Sequence, residues 1–194
     1  MEPIIQRPLD GTLDTEMVVA AMLRPLLNAA ESARQLAEHY NHFKVGASVL
    51  ALKESAEVGS IGIFAGWNRK LKSGPCKDRR CAEMHAMWDA FESGYKRILA
   101  VAVHAPHQAD DATGLDLGVL ICCGYCRNSF RALMQMQMLV DPDVLFHFRN
   151  AQTGFALSLT LGELLARCGG DRDPAIYTLG TPVTGLLQQA GRSP

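Results

Sequence analysis

The order of short apolar runs and longer helix-period stretches constrains this chain more than any other feature of its sequence. Two runs of strand character, Val45–Leu52 and Ser60–Asn68, flank Lys53–Gly59, which reads as a hairpin loop. Further on, Ile98–His104, Leu117–Ile121 and Val144–Phe148 are apolar, partly β-branched and too short for helices, so each reads as a strand. Helical periodicity fills the remaining ground. Leu26, Leu27, Ala30, Ala33, Leu36, Ala37 and Tyr40 share one stripe, Cys81 to Ser93 is amphipathic with Gly94 as its stop, and residues 123–138 and Leu161–Arg167 complete the set. Alternation of this kind after an opening hairpin predicts an α/β layered domain. Pro25 reads as a helix start or a kink, which leaves residues 14–24 as a separate turn of helix. The predicted division is an N-terminal arm or extra helix over 1–24, the main domain over 25–168, and a loosely packed tail over 169–194 rich in Gly, Pro and polar residues.

The length, 194 residues, suits one domain with a full core. Nineteen basic and twenty acidic side chains leave a formal charge of −1, which excludes a generally cationic nucleic-acid binder and an acidic tail protein. No apolar run is long enough to span a bilayer, and the start, MEPIIQRPLDGTLDTE, lacks the basic-then-apolar order of a signal peptide. A cytoplasmic location is the expectation. In such a reducing compartment six cysteines read as metal ligands or buried thiols rather than as a disulfide set.

The cysteines are clustered. Cys123 and Cys126 stand three apart at a strand–helix junction, which places both sulfurs on one face of the first helical turn. A CxxC alone is ambiguous among zinc, redox chemistry and chance. Cys81-Ala82-Glu83 opens another predicted helix, where the dipole favours a thiolate. Three thiolates on a tetrahedral zinc leave the fourth position open to water, the mark of a catalytic site. Zinc lowers the pKa of such a water from about 15.7 to about 7, and a neighbouring carboxylate can then shuttle protons. Glu83 is the candidate. Residues two apart in mid-helix point to different sides, so Cys81 must lie at or before the first turn. Zinc base deaminases carry His-x-Glu followed by Pro-Cys-x-x-Cys, with an all-cysteine variant. This chain has Cys81-Ala82-Glu83 and then Cys122-Cys123-Gly124-Tyr125-Cys126.

Beyond the cysteines the chain resembles the cytidine deaminases. Tyr40-Asn41-His42-Phe43-Lys44-Val45-Gly46-Ala47 is similar to the family's Tyr-x-x-Phe-x-Val-Gly-Ala block, and Phe64-Ala65-Gly66-Trp67-Asn68 to its Phe-x-Gly-x-Asn strand. Glu92-Ser93-Gly94-Tyr95 resembles its helix end, Cys123-Gly124-Tyr125-Cys126-Arg127 its second zinc motif, and Leu161-Gly162-Glu163-Leu164-Leu165 its closing Gly-Glu-Leu-Leu. These blocks fall in the right order across roughly residues 26–166. The resemblance implies a cytidine deaminase-like three-layer α/β/α fold with a five-stranded mixed sheet, assembled as a homotetramer or a dimer. It also implies one zinc per chain on Cys81, Cys123 and Cys126, with Glu83 transferring protons. Phe43 would line the base pocket, Asn68, Lys70 and Ala82 would contact the substrate, and Arg127 would offset the thiolate charge from behind the ligands. The implied reaction is hydrolytic deamination of a cytosine-type nucleoside or modified analogue to the uracil form, with release of ammonia. Near-neutral charge and 7% aromatic residues give little support for a strand-binding groove, so a small nucleoside is the expected partner rather than nucleic acid.

The chain also departs from the family. The usual Asn-x-Glu triplet is here Asn68-Arg69-Lys70, and a carboxylate accepts hydrogen bonds from sugar hydroxyls where Lys only donates. Residues 69–80 add Lys72, Lys77, Arg79 and Arg80, a basic loop that reads either as a solvated face or as an anion site. Blasticidin-S deaminases, relatives acting on an antibiotic nucleoside, also lack that Glu and carry Gly-Pro-Cys before Ala-Glu, but Gly74-Pro75-Cys76 is displaced from it. Met84 stands where the nucleoside enzymes commonly have Arg. Competing readings are a structural zinc closed by Cys76, an antibiotic-nucleoside deaminase, and an idle nucleoside-binding member of the fold. Cys168 reads as a small buried apolar residue, Cys122 as packed in its strand, His85 as a satisfied buried histidine, and Met134, Met136 and Met138 as core or interface filler.

Overall fold

The structure, a computed structural model, describes residues 14–37, 43–53, 60–70, 79–110, 114–135 and 141–168. The expected arm over 1–13, the tail over 169–194, Tyr40, Cys76, Met136 and Met138 lie outside these residues. Two strands are apolar on both faces and therefore become the centre of a sheet. In β1 (Gly46–Lys53), Ala47, Val49 and Ala51 face one side while Ser48 and Leu50 face the other. β5 (Arg97–Ala105) runs antiparallel beside it and is buried from Ile98 onward. β2 (Ser60–Trp67) pairs antiparallel on the outer side of β1, β6 (Leu145–Asn150) pairs parallel with β5, and β7 (Ala156–Thr160) closes the other edge antiparallel to β6. The result is a five-stranded mixed sheet of order β2-β1-β5-β6-β7. Leu99 is the extra residue of a bulge opposite Leu50 and Ala51, so Leu99 and Ala100 both turn toward the same face.

One helix covers that face and three cover the other. α1 (Thr15–Leu36) packs Val18, Val19, Leu26 and Ala30 against Leu50, Leu99, Ala100 and Ala102. Ser48 Oγ donates to the Leu26 carbonyl at 2.6 Å and ties strand to helix. α2 (Ala82–Glu92), α3 (Gly124–Gln135) and α4 (Leu161–Arg167) pack on the opposite face around Val49, Val101, Phe130, Phe146 and Phe148. Two glycines set how closely the layers approach. A Cβ at Gly46 would lie 2.1 Å from the Ala30 carbonyl oxygen of α1, and one at Gly66 would lie 2.4 Å from both the Ala82 carbonyl oxygen and the Ala86 nitrogen of α2. The expected three-layer α/β/α arrangement is present. No helix among the described residues is long and apolar enough to cross a membrane.

Four elements differ from the sequence reading. Residues 14–24 do not form a separate turn, and the boundary expected at residue 24 falls inside α1, which continues through Pro25. Proline there removes one helical hydrogen bond, but it sits on the exposed side while Val18 and Leu26, on either side of it, are fully buried. Burial holds both halves in line. Leu117–Ile121 is not a strand: Gly118 adopts φ +74° and its carbonyl accepts from Asn150 Nδ2, and the segment is coil that buries Val119 and Ile121. The fifth strand is β7, which had not been assigned. Finally, the basic loop contains a two-residue ladder, β3 (Arg69–Lys70) against β4 (Arg79–Arg80).

Candidate metal centre and active site

Helix starts bring the cysteines together. Cys81 caps α2, and its carbonyl accepts the first helical bond from the His85 N–H at 3.0 Å. Cys123 takes the same place before α3, accepting from the Arg127 N–H at 3.0 Å, and Cys126 lies one turn beneath it. The bare backbone of Gly66 seats the first turn of α2 on the end of β2. His85 locks this seat: its Nδ1 accepts from the Trp67 N–H at 3.3 Å, its ring meets the Trp67 ring edge-on at 4.7 Å, and Nε2 stands 3.7 Å from Asp89. It is a buried structural histidine.

The Cys81 and Cys123 sulfurs are 3.4 Å apart, and the sulfurs of Cys81, Cys123 and Cys126 all lie within 4.8 Å of one another. Tetrahedral zinc with bonds of about 2.3 Å to sulfur requires sulfurs about 3.8 Å apart. The set fits such an ion. Hydrogen bonds from the Cys126 and Cys81 thiols, together with the backbone N–H groups of Cys126 and Tyr125, hold the Cys123 thiol well below the ordinary range. Cys126 and Cys81 are pushed the other way, chiefly by the hydrogen bonds they share with Cys123. A divalent cation held here would displace the protons these thiols share.

Glu83, the second residue of α2, is 4% exposed. Burial first and the Cys123 charge second push its carboxyl up to about 7, while hydrogen bonds from its own backbone and from the Cys122 and Cys126 thiols partly oppose the rise. A carboxyl of this kind can accept or release a proton near neutral pH. Cys122 is fully buried against Glu83, in coil rather than in a strand, and desolvation raises its thiol. Ala82, between Cys81 and Glu83, is fully buried. The acid and the three sulfurs share one face of the sheet at the converging starts of two helices.

The other residues named from the sequence fall around this centre. Asn68 Oδ1 accepts from the Val45 N–H at 2.8 Å and its Nδ2 donates to the Phe43 carbonyl at 2.8 Å, so this side chain positions Phe43. One of its two amide hydrogens is left for another acceptor by these bonds. Lys70 is placed by backbone register alone, opposite Arg79. Arg127 is fully buried; it donates to Asp110 Oδ1 at 3.1 Å and Oδ2 at 3.3 Å, and to the Cys122 carbonyl at 2.6 Å. Its charge is met first by Asp110, and it also holds the Cys122 carbonyl, which precedes Cys123. Asp110 had no place in the sequence reading. Nothing in the polar loop around it distinguishes it from Asp111 until the fold brings it to Arg127, seventeen positions away.

No family model and no curated protein matches the chain. Solved structures do. Cytidine deaminase from Burkholderia pseudomallei is 27% identical with a TM-score of 0.53, over 75% of this chain and 98% of that one. Cytidine deaminase from Mycobacterium tuberculosis is 23% identical with a TM-score of 0.47, over 76% and 97% of the two chains. The Mycobacterium leprae enzyme is 22% identical with a TM-score of 0.46, over 74% and 96%. On the first of these similarities, this chain has the fold of cytidine deaminases.

Proposed function

We propose that the protein is a zinc-dependent hydrolase that deaminates a cytosine-type nucleoside or close analogue. The observation that carries this reading is the buried Glu83 carboxyl, set beside three convergent cysteine sulfurs at two helix starts. One zinc per chain, held by Cys81, Cys123 and Cys126, would bring the pKa of water down to about 7 and so make it a strong nucleophile at neutral pH. Glu83 takes a proton from the attacking water and passes it to ring N3 as the C4–O bond forms. The carboxylate then takes the remaining proton of the oxygen now on C4 and delivers it to the exocyclic amine; the C4–N bond breaks as the C4 carbonyl forms, and ammonia leaves with the carboxylate restored. Phe43 lines the base site, and Asn68 fixes Phe43 while offering its second amide hydrogen to the substrate. The positive ends of α2 and α3 hold the anionic sulfurs in place.

Ammonia release from a panel of cytosine nucleosides and nucleotides tests the reading on zinc-loaded protein. Glu83→Gln should keep the zinc and the melting temperature while losing about 10²–10⁴ in kcat. Parent-like turnover in that variant, or no ammonia from any cytosine compound, would overturn it.

A further inference from the structure

Positive charge is concentrated at one place in this nearly neutral chain. Residues 69–80 hold six of its nineteen Lys and Arg residues, Arg69, Lys70, Lys72, Lys77, Arg79 and Arg80, against the single acid Asp78. The fold pairs four of the six. Arg69 stands directly opposite Arg80, and Lys70 opposite Arg79, in the ladder of β3 and β4. Like charges in directly opposed positions destabilise an antiparallel pair, and one carboxylate within the segment cannot neutralise four cations. Arg69 Nε, moreover, is buried with no hydrogen-bond partner among the described residues.

The placement of the ladder gives this charge a purpose. Arg69 follows Asn68, which positions Phe43, and Arg80 precedes Cys81, the first sulfur of the metal centre. The ladder therefore spans the passage from the base-site residues to the metal ligands. A guanidinium stays charged at every working pH and matches phosphate or carboxylate with a two-pronged fork. We infer that the β3–β4 ladder binds an anionic group, a phosphate or a carboxylate, carried by the substrate away from its base. This rests on the deaminase reading above, whose substrate it narrows to a charged cytosine nucleoside.

The test compares kcat/KM for cytidine, cytidine 5′-monophosphate and a cytidine 5′-carboxylate on the zinc-loaded full chain. One or both charged compounds should exceed cytidine by about tenfold or more at about 50 mM salt, and the difference should shrink at about 0.5 M. Which of the two wins separates phosphate from carboxylate. Arg69→Gln should lower kcat/KM for the preferred charged compound about five- to tenfold more than for cytidine. Arg79→Gln, whose backbone pairs with Lys70, repeats the measurement should the first variant melt early. Calorimetric binding of the same compounds to Glu83→Gln reads the anion site without turnover. If no compound is deaminated yet the monophosphate binds more tightly than cytidine, the deaminase reading fails and the anion site stands. Equal handling and equal binding of neutral and charged compounds, in parent and variants alike, would overturn the assignment. So would tighter binding of a single-stranded oligonucleotide than of any of the three.

Discussion

Removing the carboxylate of Asp110 should be among the most damaging single changes outside the cysteine cluster. Arg127 is wholly buried and the Asp110 side chain is 7% exposed, so neither charge has water to fall back on. Two N–H···O bonds of 3.1 and 3.3 Å join them. Taking one partner from a buried pair costs about 3–5 kcal/mol, because the remaining charge stays uncompensated. At about 2–4 °C per kcal/mol for a domain of this size, Asp110→Ala should melt about 6–20 °C below the parent. The damage should reach the metal as well. Arg127 also holds the Cys122 carbonyl at 2.6 Å, so a displaced guanidinium loosens the residue next to Cys123. Disturbing the groups that support metal ligands typically weakens affinity about 10–100-fold. Calorimetric melting and competition with a chromophoric zinc chelator measure the two effects. The double variant Asp110→Leu/Arg127→Met should recover much of the melting temperature, since apolar replacement of a buried ion pair is often neutral, but not the grip on zinc. An Asp110→Ala protein melting within about 1 °C of the parent and holding zinc equally well would refute the reasoning.

Cys123→Ala should reduce metal content from about one zinc per chain to a small fraction, measured by elemental analysis; full retention would remove Cys123 from the ligand set. Stability should fall as pH drops below about 6.5, where unfolded histidines take up protons. Burial chiefly lowers the folded His104, with Arg34 and Arg149 adding and Glu31 opposing, and burial also lowers His147. His104→Gln should flatten the melting temperature between pH 7 and about 5.5, and an unchanged slope would exclude His104 as a cause. Met17, Leu36 and Phe155 are large apolar side chains 44%, 61% and 51% exposed. With the resemblance to cytidine deaminases they lead to the expectation of a homo-oligomer, most simply a tetramer, and a monomeric mass in light scattering at micromolar concentration would contradict it.

Where the sequence was legible, periodicity and burial agreed. Leu161–Arg167 is α4 to the residue, and Cys81 stands at the cap of α2 because neither it nor Glu83 could otherwise face one centre. Where it failed, a long-range contact decided. Leu117–Ile121 is as apolar as a strand, but the Asn150 amide takes the Gly118 carbonyl and bends the chain away from any ladder. Ala156–Thr160 escaped notice because an edge strand buries little, here Leu159 alone among its five residues. Pro25 is a strong local breaker outweighed by apolar contacts on both sides of it. The convergence of Cys81, Cys123 and Cys126 was readable from spacing at helix starts, whereas Asp110 needed the third dimension.

The two glycines that dock the helices bear on how such a fold can change over time. Gly46 and Gly66 sit on neighbouring strands one register step apart, Ala47 being the partner of Gly66, and each presses bare backbone against a helix on the opposite side. Layer spacing at this end of the sheet is therefore set by main-chain atoms, which substitution elsewhere cannot resize. Variation in the surrounding side chains leaves the seat of α2, and with it the position of Cys81, where it was. The ladder at Arg69–Lys70 and Arg79–Arg80 has no such anchorage to a helix through either glycine. If the proposed anion site is there, changes in that short ladder would alter it while the backbone seat of α2 stays fixed.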